Sequence, residues 1–212
     1  MVVGITFIIS LALFCISVYV SYREHFSDNL TIREMEKCEQ IIRKKYENYI
    51  NGFRGKAIDK DDFGIDIDLL TKDLKLQVKV SEDIPETYRS SLNEPDTEGY
   101  NGLILHSEDK TRYADRFDII HEIVHYLVDV GNGKKVDKSF ARVHRGNARG
   151  HREQIIDYYV AAITIPQDDL RKRISKHAGD TYDKQFIAEL MEFYKQPEDT
   201  IIRRIGEVKV LS

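Results

Sequence analysis

Apolar residues recur at helical spacing along most of the chain and alternate with polar ones in one short stretch. Over residues 29–49, Ile32, Met35, Cys38, Ile41, Ile42 and Tyr46 return every three or four positions, which predicts an amphipathic helix. Thr31-Ile32-Arg33-Glu34 offers it a capping-box start, and Asn51-Gly52 breaks it. Residues 65–74 predict a second, shorter helix with Ile67, Leu70 and Leu74 on one face. Leu76-Gln77-Val78-Lys79-Val80 alternates strictly and predicts a half-buried strand. Residues 94–99 form a loop rich in turn formers, and residues 100–106 predict another strand. Residues 118–130 hold no Gly or Pro and carry Ile119, Ile120, Ile123, Val124, Leu127 and Val128. That pattern predicts a largely buried helix, stopped by Gly131-Asn132-Gly133. A helix over residues 151–165 is ended by Pro166, and residues 186–194 and 200–207 predict two more. Helices dominate, with one small sheet immediately before the 118–130 helix, so the expected fold class is α+β.

The first 22 residues carry no charged side chain. About 19 to 20 apolar residues span a hydrocarbon core of roughly 30 Å, so residues 1–22 predict a transmembrane anchor. A cleaved secretory signal would want a basic start and an A-x-A-like site, and neither is present. A lipoprotein signal ending at Cys15 would want a small residue where Phe14 stands. Arg23, Arg33, Arg43, Lys44 and Lys45 all follow the segment, which by the positive-inside rule places the long C-terminal part in the cytoplasm of a single-pass membrane protein. The expected divisions are an anchor at 1–22, a helical linker at 23–60, the main domain at 61–180 and a helical tail at 181–212.

Composition narrows the classes. Hydrophobic residues at 42% and charged residues at 32% fit a globular chain. A formal charge of −4 gives no ground for general nucleic-acid binding. Two cysteines make no disulfide framework and fit a reducing compartment.

His121-Glu122-Ile123-Val124-His125 carries the candidate chemistry. On a helix, positions i and i+4 share a face, so both imidazoles can reach one metal ion while Glu122 holds a water beside it. Two histidines need at least one more protein ligand. Glu153 is the leading candidate, and its alternative is a solvated first-turn carboxylate favoured by the helix dipole. Asp157, one turn further on the same face, is placed to accept from the outer N–H of a ligand histidine.

Residues Arg116 to Leu127 resemble the R-F-T-[IL]-A-H-E-[LI]-[GA]-H-x-[LI] core of the ImmA/IrrE family of metallo-endopeptidases. Glu153 to Pro166 is similar, without a gap, to that family's E-x-x-A-N-x-F-A-A-x-L-L-M-P motif. Glu153, Ala161 and Pro166 match it, Asp157 stands for Asn, and Tyr159 stands for Phe. Asp118, Ile120, Val124, Ile156, Val160 and Thr164 depart from the two patterns. The resemblance runs loosely from residue 62 to residue 206. It implies a zincin-like fold in which His121, His125 and Glu153 bind Zn2+ and Glu122 is the catalytic base. It also implies a regulatory endopeptidase whose partner is a helix-turn-helix transcriptional repressor. Two alternatives stay open at this level: a non-catalytic partner-binding protein that keeps the fold, and a membrane-anchored peptidase with another protein substrate.

For a donor to the developing oxyanion the sequence offers His144, His151, Tyr158 and several arginines. His106, at a predicted strand end, reads as structural. Residues 131–150 hold six basic residues and one acid, read as a solvated surface loop, a mobile lid, an electrostatic guide for an acidic substrate segment, or a basic patch drawn to anionic lipid. Residues 186–191 and 200–205 resemble the family's helical tail, which can look like a helix-turn-helix. The turn Lys195-Gln196-Pro197-Glu198-Asp199 is acidic rather than basic, which favours packing or partner recognition over DNA contact, so no direct nucleic-acid partner is expected.

Overall fold

The computed structural model describes residues 30–54, 63–82, 90–107, 111, 113–137 and 150–211. Helix α1 (Ile32–Lys45) starts at the capping box, with Thr31 Oγ1 accepting from Glu34 N while Glu34 Oε2 accepts from Thr31 N at 2.8 Å. A short α2 (Glu47–Asn51) follows. Helix α3 (Ile67–Leu74) is capped by Asp66, whose Oδ1 accepts from Leu69 N at 2.9 Å. Strands β1 (Leu76–Val80), β2 (Ser90–Asn93) and β3 (Gly102–His106) form one sheet in the order β1-β3-β2. β1 runs parallel to β3, from Leu76 opposite Gly102 to Val80 opposite His106. β2 runs antiparallel to it, from Ser90 opposite His106 to Asn93 opposite Leu103. Gly102 is required where β3 begins, because a Cβ there would sit 2.9 Å from Val136 Cγ2 and 3.1 Å from Leu76 Cδ2.

Helix α4 (Ala114–His125) lies against β2 and β3 and runs on into one π-helical turn, Tyr126–Val130. That turn closes with Gly131 N donating to Tyr126 O at 2.8 Å. Gly131 ends it at φ 96°, a conformation that favours glycine. Helix α5 (His151–Thr164) packs against α4 and α1. From Tyr158 to Thr164 it is buried without a break, as expected for a helix enclosed by others. Ala161 and Ala162 keep that stretch slim. Helices α6 (Gln167–Lys176), α7 (Lys184–Tyr194) and α8 (Glu198–Val210) complete the described chain. One apolar cluster joins α1, α3, the sheet, α4 and α5, and a second joins α6, α7 and α8. The architecture is α+β, mostly helical, with the sheet ahead of the later helices.

The membrane localisation expected from the sequence is corrected here. Among the described residues no helix is long and apolar enough to cross a membrane. The longest, α1 and α5, have 14 residues each, about 21 Å at 1.5 Å per residue against a core of roughly 30 Å. The expected anchor, residues 1–22, lies outside the described residues, as does most of the basic segment, 138–149.

Candidate metal centre

Helix α4 presents His121 and His125 one turn apart, and α5 brings Glu153 across to them. The three candidate ligand atoms form a nearly equilateral triangle. His121 Nε2 lies 3.1 Å from His125 Nε2 and 3.1 Å from Glu153 Oε2, and His125 Nε2 lies 3.2 Å from the same oxygen. Side-chain exposure is 18% for Glu153, 15% for His121 and 4% for His125, so the triangle sits at the floor of a surface that solvent reaches.

Both outer ring nitrogens are engaged. His121 Nδ1 donates to Asp157 Oδ1 at 3.0 Å, and His125 Nδ1 donates to Asp129 Oδ2 at 2.8 Å. With the proton of each neutral imidazole on Nδ1, each Nε2 carries a lone pair. Two imidazole lone pairs and a carboxylate oxygen then face one another, an arrangement that repels unless positive charge lies among them. Edges of 3.1 to 3.2 Å approach the ~3.3 Å between ligands that bonds of ~2.0–2.1 Å impose on a tetrahedral metal. The donor set and its spacing therefore fit a metal ion, and His121, His125 and Glu153 could hold one. The same demand shows in the titration of His121. Burial works against its charged form, yet hydrogen bonds to Asp157 and Glu153 prevail and push the imidazole up to about 10. Burial also works against an ionised Asp157, but His121 and Arg203 hold its carboxyl below the usual range.

Glu122 is buried beside the triangle, and its Oε1 accepts from Ser90 Oγ at 2.7 Å. Ser90 opens β2, one of the two outer strands of the sheet. Behind each histidine-bound aspartate stands an arginine. Arg152 bonds Asp129 Oδ1, and Arg203 Nη1 lies 3.7 Å from Asp157 Oδ2.

A family model, the IrrE N-terminal-like domain of a peptidase family, matches residues 66–205, nearly all of the described fold from α3 to α8. The chain belongs to that family. No curated protein matches it closely enough to add a relative. Membership in the IrrE N-terminal-like family gives the chain a metallopeptidase-like function, and the His121, His125 and Glu153 cluster is where a metal could sit.

The structure brings together His121, Glu122, His125 and Glu153, and it places Asp157 on His121 as its spacing predicts. It separates other candidates from the centre. Tyr158 turns to the far side of α5, where its hydroxyl donates to Glu39 Oε1 at 2.9 Å. His151 is exposed and pairs with Glu34 at 3.1 Å. His144 lies outside the described residues. Asp129 and Ser90 were not anticipated. Asp129 repeats the i, i+4 spacing from His125, a signal legible in the chain. Ser90 reaches Glu122 only through the pairing of β2 with β3, which nothing local announces.

Proposed function

We propose that the chain is a zinc-dependent endopeptidase with a zincin-like active site, in which His121, His125 and Glu153 are the ligands and Glu122 is the general base. The observation that carries this is the triangle of three inward-facing acceptors with a buried carboxylate beside it. When bound, zinc supplies Lewis acidity, polarising the scissile carbonyl and lowering the pKa of a water from ~15.7 toward ~7. Glu122 takes one proton from the attacking water and delivers it to the departing amine as the C–N bond breaks. The water oxygen ends on the carbonyl carbon and its second proton also passes to the leaving nitrogen, so the products are a carboxylate and an ammonium group. Ser90 holds one Glu122 oxygen and leaves the other to handle the proton. Asp157 and Asp129 keep both imidazoles in the tautomer whose Nε2 lone pairs point inward.

The endopeptidase reading is supported by β2. Its second edge carries no strand among the described residues, and such an edge can pair with an extended peptide that continues in both directions. A helix-turn-helix transcriptional repressor is the proposed substrate, a reading supported by the family likeness. The test is proteolysis of a repressor encoded beside this chain, by zinc-loaded protein and by its Glu122→Gln variant. Cleavage by the first and not the second is expected. Equal cleavage by both, or by neither, would refute the reading.

A further inference from the structure

We propose that Arg203, on the C-terminal helix α8, is a positioning residue of the metal centre: it fixes Asp157, and Asp157 fixes His121. The inference rests on the ligand assignment above. Asp157 is held at three points. Its Oδ1 accepts from His121 Nδ1 at 3.0 Å, its Oδ2 faces Arg203 Nη1 at 3.7 Å, and its backbone carbonyl accepts from Arg203 Nη2 at 3.3 Å. The guanidinium thus spans side chain and backbone of the residue that orients a ligand ring. The hydrogen bond to His121 on one oxygen and the guanidinium facing the other restrict the turning of this carboxylate, which keeps Oδ1 on the Nδ1–H of the ring.

Arg203 is itself anchored. Its neighbour Arg204 is fully buried and bonds Glu39 of α1 at 2.5 Å, Glu207 of α8 at 3.2 Å and the Ile165 carbonyl after α5 at 3.1 Å. These contacts set the rotation of α8 against α5, which puts residue 203 over Asp157. The same construction recurs at the second histidine. Asp129 gives one oxygen to His125 Nδ1 and the other to Arg152. A carboxylate bridging a ligand histidine and an arginine twice in one site is a pattern that surface ion pairing does not produce by itself. The two differ in reach: Arg152 precedes the ligand Glu153 in sequence, whereas Arg203 comes from a separate helix near the other end of the fold. Arg203 therefore makes α8 part of the metal centre.

The test measures zinc affinity of the full chain by competition against a chromophoric chelator. Wild type, Arg203→Met, Arg203→Lys, Asp157→Asn and the double variant Arg203→Met/Asp157→Asn are compared, with Glu153→Ala as the ligand control. Arg203→Met is expected to weaken zinc binding about ten- to a hundredfold, and Arg203→Lys to recover most of it. In the Asp157→Asn background, where the facing charge is gone, Arg203→Met should lose most of its effect. Additive effects in that cycle would overturn the proposal, because they mean Arg203 acts elsewhere, for instance on folding. An unchanged affinity in Arg203→Met would overturn it too. In either case a normal loss of zinc in Glu153→Ala leaves the ligand assignment standing. Full zinc binding by Glu153→Ala, or none by wild type, refutes the assignment and this inference with it.

Discussion

Arg203 and Arg204 are neighbours on α8 and both reach Glu207, at 3.7 Å and 3.2 Å. Arg203 also meets Asp157 behind the candidate metal centre whereas Arg204 meets Glu39, and the two clusters are completed in different ways. Around Arg204 the chain supplies everything. One guanidinium meets Glu39 and Glu207, Tyr158 donates to Glu39, and the Ile165 carbonyl takes a further N–H. Burial opposes the charge on Arg204, but the two carboxylates raise its pKa further still. Around the candidate metal triangle two ring nitrogens and a carboxylate oxygen crowd together, and the carboxylates of Asp157 and Asp129 stand behind the two rings. The first cluster is closed by its own residues and reads as scaffold. The second leaves room for an added cation and reads as a candidate site.

Breaking the second cluster should have the largest effect on function. Glu153→Ala removes a corner of the triangle and is expected to lose zinc by more than the ~10–100-fold that outer residues cost, read by metal analysis after dialysis. Glu122→Gln should keep zinc at wild-type stoichiometry while hydrolysis falls ~10²–10⁴-fold. Loss of zinc in that variant would mean Glu122 is not simply a base.

Breaking the first cluster should show in folding. Arg204→Met strands Glu39 and Glu207 as buried carboxylates, which costs about 3–5 kcal/mol. Denaturant titration checks this, and because Arg204 sets the rotation of α8 that carries Arg203, the folded fraction should lose no more zinc affinity than Arg203→Met does. A stability near wild type would show that the cluster is not the scaffold described here.

A graded effect separates the clusters by pH. In protein stripped by a chelator, His121 is pushed up to about 10 from an ordinary 6.5. A raised pKa contributes stability that is complete below pH ~6.5 and is lost as pH rises through about 10. Zinc binding runs the other way, because the ligands must be deprotonated first. Thermal melts with and without zinc should therefore diverge from pH 6 toward pH 9, and parallel curves would contradict the coupling. The smallest effect is expected from Ser90→Ala. Losing one hydrogen bond to Glu122 should lower kcat by about threefold to tenfold with zinc content unchanged.

What the sequence made legible follows from which interactions are local. His121 and His125 declare themselves through helical spacing, and Glu153 and Asp157 through the same spacing on a second helix with a resembling motif. Helices α1, α3, α4, α5, α7 and α8 all have an apolar stripe that can be read directly. Helix α6 was missed because Gln167-Asp168-Asp169-Leu170-Arg171-Lys172-Arg173 is nearly all polar and buries little beyond Leu170 and Gln167. Strand β2 was missed because Ser90-Ser91-Leu92-Asn93 has one apolar residue and owes its conformation to β3. Tyr158 and His151 looked available to the site, but the face of α5 that each occupies is decided by α1, which sequence spacing within α5 does not reveal. Arg203 needed the packing of α8.

The ligands are unequally spaced along the chain: His121 and His125 are four residues apart, and Glu153 comes 28 residues after His125. This bears on the order of assembly. The histidine pair is complete as soon as one turn of α4 forms, so an ion can be held there weakly while α5 is still undocked. Glu153 then adds its oxygen only when α5 reaches its native place, and binding tightens at that step. An ion bound by all three would tie two helices across that intervening stretch and oppose the separation of α4 from α5.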